Sequence, residues 1–148
     1  MNTEGSIIID APASTVWDVF VDVEHWADWT ASVTRIVALD GPGIAVGKRF
    51  EIKQPRMPKV VWAVTEVEPG VSWTWRQKSP GATTLARHEV TTIDPGHTAV
   101  RQTIEQRGLI GVIVGALTRR MTRRYLELEG NGLKTRSEQV TRADAASA

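Results

Sequence analysis

Of the side chains able to move a proton, His88 is the one that alternation turns inward. From Thr83 to Asp94 every second residue is polar, so Arg87, Glu89 and Thr91 share one face while Ala86, His88 and Val90 share the other. A neutral imidazole there donates one hydrogen bond, accepts another and titrates near pH 7, which makes His88 the candidate acid or base. No second acid or base stands clearly beside it. In His97 to Arg107 the outer face is Arg101, Thr103, Glu105 and Arg107, which leaves Val100, Gln102 and Ile104 inside. Gln102 can simply satisfy a buried histidine, so a structural His88 is an equally open reading. His25 and His97 fall in loop or turn positions. No pair of histidines or carboxylates has metal-ligand spacing, so neither a metal nor another cofactor is expected. The chain has no cysteine, which excludes disulfides, thiolate catalysis and zinc-thiolate sites.

Aromatic residues supply a wall beside the imidazole. In Val71 to Lys78 the outer set is Ser72, Thr74 and Arg76, so Val71, Trp73 and Trp75 point in. Flat side chains on one concave face stack on a planar ligand, but they also pack any small core, and both readings stand. Trp62 joins them if Val60, Trp62 and Val64 are the inner face of Val60 to Glu68; Val61, Ala63, Thr65 and Val67 serve that pattern equally well. Trp17, Trp26 and Trp29 read as wedges that hold short helices against the open end of a sheet.

The elements that must position these groups are legible in outline. Ile7 to Ile9 is a short apolar strand, after which Asp10 or Ser14 can cap a helix whose stripe is Val16, Val19 and Phe20. A second short helix runs through the Trp-rich stretch. Strands follow at Ser32 to Leu39, Lys48 to Gln54, Val60 to Glu68, Val71 to Lys78, Thr83 to Asp94 and His97 to Arg107, divided by Gly and Pro turns. From Leu109 the period becomes helical for about 25 residues, or roughly 37 Å. Its stripe reads Ile110, Val114, Leu117, Met121, Tyr125 and Leu128, with Thr118, Arg119, Thr122, Arg123 and Glu129 displaced from it. Leu117, Met121 and Tyr125 therefore complete the expected ligand set. The Arg119, Arg120, Arg123 and Arg124 cluster suits an acidic partner or an anionic membrane surface, and equally a solvated helix face near the negative end of the macrodipole.

Ile7 to Trp17, as I-x-I-x-A-P-x-x-x-V-W, and Asp22 to Trp29, as D-x-x-x-W-x-x-W, resemble the opening of the START-like (SRPBCC) superfamily, in its polyketide cyclase/dehydrase and lipid-transport branch. The resemblance covers roughly residues 3 to 137. It implies an α+β helix-grip fold: a curved six- or seven-stranded antiparallel sheet wrapped around a long C-terminal helix, with two short helices after the first strand. It also implies an internal cavity for a small hydrophobic molecule, whether aromatic, polyketide-like or lipid-like. As an enzyme, such a chain would promote an aldol condensation with loss of water, with His88 as acid and base. As an interaction module it would use its surface instead. Trp62, Trp73, Trp75, His88, Gln102, Leu117, Met121 and Tyr125 are the expected ligand contacts.

Length and composition bound these readings. The chain of 148 residues suits one domain, expected over 1–137, with an unstructured tail over 138–148 that lacks an apolar stripe. A net charge of +1 argues against a nucleic-acid partner. No segment has the ~20 apolar residues that span a bilayer, and none resembles a signal peptide, so a cytoplasmic protein without membrane insertion is expected. The residues do not set the oligomeric state, and a homodimer stays open.

Overall fold

The computed structural model describes residues 2–147. Strand β1 (Asn2–Ile9) leads into α1 (Ala13–Val21) and a 3₁₀ segment (Val23–Asp28). Strands β2 (Arg35–Ala38), β3 (Arg49–Lys53), β4 (Val60–Glu68), β5 (Ser72–Ser79), β6 (Ala82–Asp94) and β7 (His97–Arg107) precede α2 (Leu109–Ser147). The seven strands form one antiparallel sheet in the order β1-β7-β6-β5-β4-β3-β2. The long helix lies against β1, β7 and β6, which is the helix-grip arrangement, and α1 packs on the same helix.

Several local expectations change. Neither Asp10 nor Ser14 caps α1; Pro12 occupies the cap position and its carbonyl accepts the Val16 N–H at 3.1 Å. Strand β2 starts only at Arg35, because Thr30 and Ser32 hold the preceding chain in a turn through a 2.9 Å bond between their hydroxyls. Val71 is not an inner strand residue but lies in the β4–β5 turn, 45% exposed. In β4 both alternations are used, since a bulge between Val64 and Glu66 shifts the register. Before it Trp62 and Val64 face the core, and beyond it Val67 does.

The largest difference lies in α2. It has 39 residues, close to 58 Å at about 1.5 Å per residue, and takes in residues 138–147 that were expected to be unstructured. Helix-favouring alanines populate this end, and the Glu138 carboxylate anchors it by accepting the Asp10 N–H at 3.0 Å. Ala148 lies outside the described residues. The buried face is also not the expected stripe but Gly111, Gly115, Leu126, Glu129, Gly130, Leu133 and Ser137. Ile110, Val114 and Leu117 are exposed. The helix is thus turned by about 100°, one residue, from the orientation that its bulkiest side chains suggest.

Close approach at one flank helps to fix this orientation. A Cβ on Gly132 would lie 2.0 Å from the Trp29 carbonyl oxygen, whereas one on Gly111 would make ordinary contact with Ala82 at 3.4 Å. Gly108, at φ +85°, makes the reversal from β7 into α2, where a Cβ would meet the Gly81 carbonyl oxygen at 2.6 Å. Among the described residues no helix is long and apolar enough to cross a membrane.

Paired substitutions test this packing. Gly130→Ala, whose new Cβ meets only Ile7 at 3.7 Å, is expected to gain up to about 1 kcal/mol of helix propensity. Gly132→Ala should lose about 1–3 kcal/mol by overpacking against backbone. Urea denaturation of both variants checks the sign of each change, and equal gains would show that α2 does not need its glycines.

Candidate functional site

Cross-strand register places the inward residues in rows. One row runs Gln102, His88, Trp73 across β7, β6 and β5; the next runs Ile104, Ala86, Trp75, Val64 as far as β4. A stacked pair forms where Trp73 lies 3.8 Å from His88, centroid to centroid, with the planes 12° apart. Trp75 meets Trp73 edge-on at 4.7 Å and lies tilted against Trp62 at 5.6 Å and Trp26 at 5.8 Å. These contacts make a continuous aromatic wall.

In front of the wall lies a cavity of about 130 Å³. Its buried end is made by Trp26, Trp75, His88 and Glu129, and its half-buried rim includes Met57, Gln77, Thr122 and Tyr125. Of the expected contacts, Trp62, Trp75, His88 and Tyr125 line it. Trp73 is fully buried behind His88, its indole N–H without a hydrogen-bond partner among the described residues, and Gln102 reaches the site through Glu129. Met121 is half-buried and away from the lining, while Leu117 is 81% exposed on the opposite face of α2. The Tyr125 hydroxyl donates to the Pro55 carbonyl, so it ties α2 to the β3–β4 loop. Trp26 does more than wedge the 3₁₀ segment: it anchors there, its Nε1–H donating to the Phe20 carbonyl at 2.8 Å, and it also lines the cavity.

Glu129 is the group that the periodicity of α2 hid. It is 8% exposed, and no ion pair reaches it among the described residues. Ser32 Oγ donates to Oε1 at 3.0 Å and Gln102 Nε2 donates to Oε2 at 2.8 Å. Burial pushes its carboxyl up to about 7, and the two donors hold it from rising further. A carboxyl so placed exchanges a proton near neutral pH. Only the spacing Leu126, Glu129, Leu133, Ser137, at intervals of three and four, signalled its face in the sequence.

Burial moves His88 the other way, down to about 3, against a weaker pull from its bond to Trp73. That bond is 3.3 Å long, and because a carbonyl only accepts, Nδ1 carries the proton and Nε2 is the acceptor. The imidazole is therefore neutral at physiological pH. Among the described residues no group of three or more His, Asp and Glu is placed to hold a metal ion.

The sequence matches the family described as "Polyketide cyclase / dehydrase and lipid transport" over residues 1–138. No curated protein matches it by sequence. Among solved structures, a hypothetical protein of Helicobacter pylori superposes with a TM-score of 0.79 at 16% identity, covering 93% of this chain and 88% of its own. A Streptomyces aromatase/cyclase gives 0.70 at 17% identity, covering 94% of each chain. A START superfamily protein of Mycobacterium smegmatis gives 0.72 at 16%, covering 95% of this chain and 99% of its own. At these identities the likeness is one of fold.

The two buried groups make stability depend on pH in opposite senses. Between the ordinary carboxyl value of 4.5 and about 7, folded Glu129 keeps a proton that the unfolded chain releases, so its contribution falls as pH rises. Between about 3 and 6.5, unfolded His88 takes up a proton that the folded chain refuses, so its contribution rises with pH. Glu129→Gln should remove the first effect alone. Its stability relative to wild type is expected to grow by up to about 1.4 kcal/mol per pH unit through the Glu129 window. Melting curves across that window check this, and a constant difference would mean that Glu129 ionises as freely folded as unfolded.

Proposed function

Because the chain belongs to the polyketide cyclase/dehydrase and lipid transport family, we propose that it holds a small aromatic molecule bearing a hydrogen-bonding group in the cavity before Trp26, Trp62 and Trp75. The observation that carries this reading is a buried carboxyl, without a cationic partner, at the end of an aromatic-walled space. The wall takes a ring by stacking, and Glu129 takes the ligand's hydroxyl or amine. At about 130 Å³ the space matches a single ring; a cavity of about 150 Å³ takes benzene, whereas drug-sized ligands need about 300 Å³ or more. A polyketide-like or lipid-like molecule would place one ring or chain end inside and leave through the rim at Met57 and Thr122. Neutral His88 offers Nε2 as an acceptor to the same ligand.

A second reading, a cyclase or dehydratase, is favoured by one feature, the carboxyl poised near neutrality. There Glu129 as carboxylate would take a proton from the carbon beside a ligand carbonyl. As the acid it would return that proton to a hydroxyl two carbons from the carbonyl, which leaves as water while the double bond forms. Glu129, rather than His88, moves the proton in this scheme, since burial keeps the imidazole neutral.

Native mass spectrometry of protein purified from its own host, followed by denaturation and identification of what is released, tests the cavity directly. One aromatic compound per chain is expected, retained about two- to tenfold less well by Trp75→Leu, on the scale of a lost aromatic contact. An empty protein that captures another protein instead would remove the cavity from the function. Conversion of the released compound by wild type and not by Glu129→Gln would select the enzyme.

A further inference from the structure

The end of the fold at which α2 begins is basic and apolar at once. Ile52 pairs with Val60, Ser79 with Ala82 and Thr83 with Arg107, so the β3–β4 loop, the β5–β6 turn and the β7–α2 junction gather there. The Ile110 N–H donates to the Gly81 carbonyl at 3.1 Å and binds the helix start to that turn. Residues 52–65, 76–84 and 106–126 contain no Asp or Glu, although the chain has 17, and they hold more than half of its Lys and Arg. Glu51, Glu105 and Glu127 stand just outside these segments, where they pair with Lys59, Arg107 and Arg124.

On the outward face of α2 the first turns are apolar. Leu109 is 80% exposed, Ile113 54% and Leu117 81%, with Ile110 and Val112 beside them. Arg119, Arg120, Arg123 and Arg124 follow, all exposed. At about 1.5 Å per residue the apolar part spans about 12 Å, and the basic collar begins about 15 Å from Leu109. That order along the axis suits a tip that enters obliquely, with apolar side chains about 5–10 Å deep and cations at the phosphates.

We infer that this end of the protein is a docking surface for an anionic lipid bilayer, with Leu109, Ile113 and Leu117 entering the interface and the α2 arginines binding lipid phosphates. An exposed apolar cluster of this kind marks an interaction site, and the surrounding charge selects the partner. A second copy fits poorly, because a contact between two such ends would bring together surfaces of like, basic charge. The contact is peripheral, and it does not depend on what the cavity holds.

Flotation with vesicles of equal parts phosphatidylglycerol and phosphatidylcholine, against pure phosphatidylcholine, tests the surface. The full chain is expected to float with the anionic vesicles alone and to be released by high salt. Leu117→Asp should abolish flotation without lowering the melting temperature, because that side chain touches little. Arg120→Gln and Arg123→Gln should each weaken partitioning about fivefold. Absence of flotation, equal binding to both vesicle types, or binding indifferent to Leu117→Asp would overturn the proposal. So would a dimer in solution that Leu117→Asp converts to monomer, since a second copy would then cover the tip.

Discussion

The packing of α2 on the sheet and on the turn after the 3₁₀ segment is the constraint on which the rest of the molecule depends. Gly111, Gly115 and Gly130 lie on the buried face, and at its flank Gly132 leaves room for the Trp29 carbonyl, whose oxygen would stand 2.0 Å from a Cβ there. Once the glycines face inward, the other positions follow from helical geometry. Leu126, Glu129 and Leu133 share the glycines' face and are buried, Tyr125 falls at its margin, and Leu109, Ile113 and Leu117 are carried to solvent. One packing preference thus sets both the polar end of the cavity and the apolar tip of the helix.

Within the cavity, burial has opposite consequences for the two titratable groups. It disfavours charge on each, so the acid keeps its proton to about 7 and the base loses its own down to about 3. The surroundings then separate their roles. His88 stacks on Trp73 and bonds to a carbonyl, which fixes one tautomer and makes it a rigid part of the wall. Glu129 receives two neutral donors and no cation, which leaves it able to change its protonation at little cost. A ligand that brings a hydrogen-bond donor would meet an acceptor already held in place.

The surface divides in a similar way. Carboxylates are absent from the segments around the start of α2 and concentrate elsewhere, so a chain of net charge +1 still carries a strongly basic end. Whole-chain composition averages this asymmetry away. It emerges only when strand register brings 52–65, 76–84 and 106–126 together.

Strand content was legible because an antiparallel strand with one wet face writes its orientation in alternate residues. The inward placement of Trp75, Ala86, His88, Gln102 and Ile104 follows from their polar neighbours alone, and the motifs from Ile7 to Trp29 carry the family resemblance separately. The face of α2 was not legible, because residue size pointed one way and the distance to the sheet another, and that distance is a property of two elements. Glu129 was hidden for the same reason, since an acidic residue on a helix reads as solvated until the sheet that desolvates it is in place. The bulge in β4 likewise comes from pairing with β5. The amino-acid sequence by itself determined the periodic elements and their order, which depend on near neighbours in the chain. Tertiary structure decided which helix face is buried and which carboxyl is desolvated, because burial is defined by atoms distant in sequence.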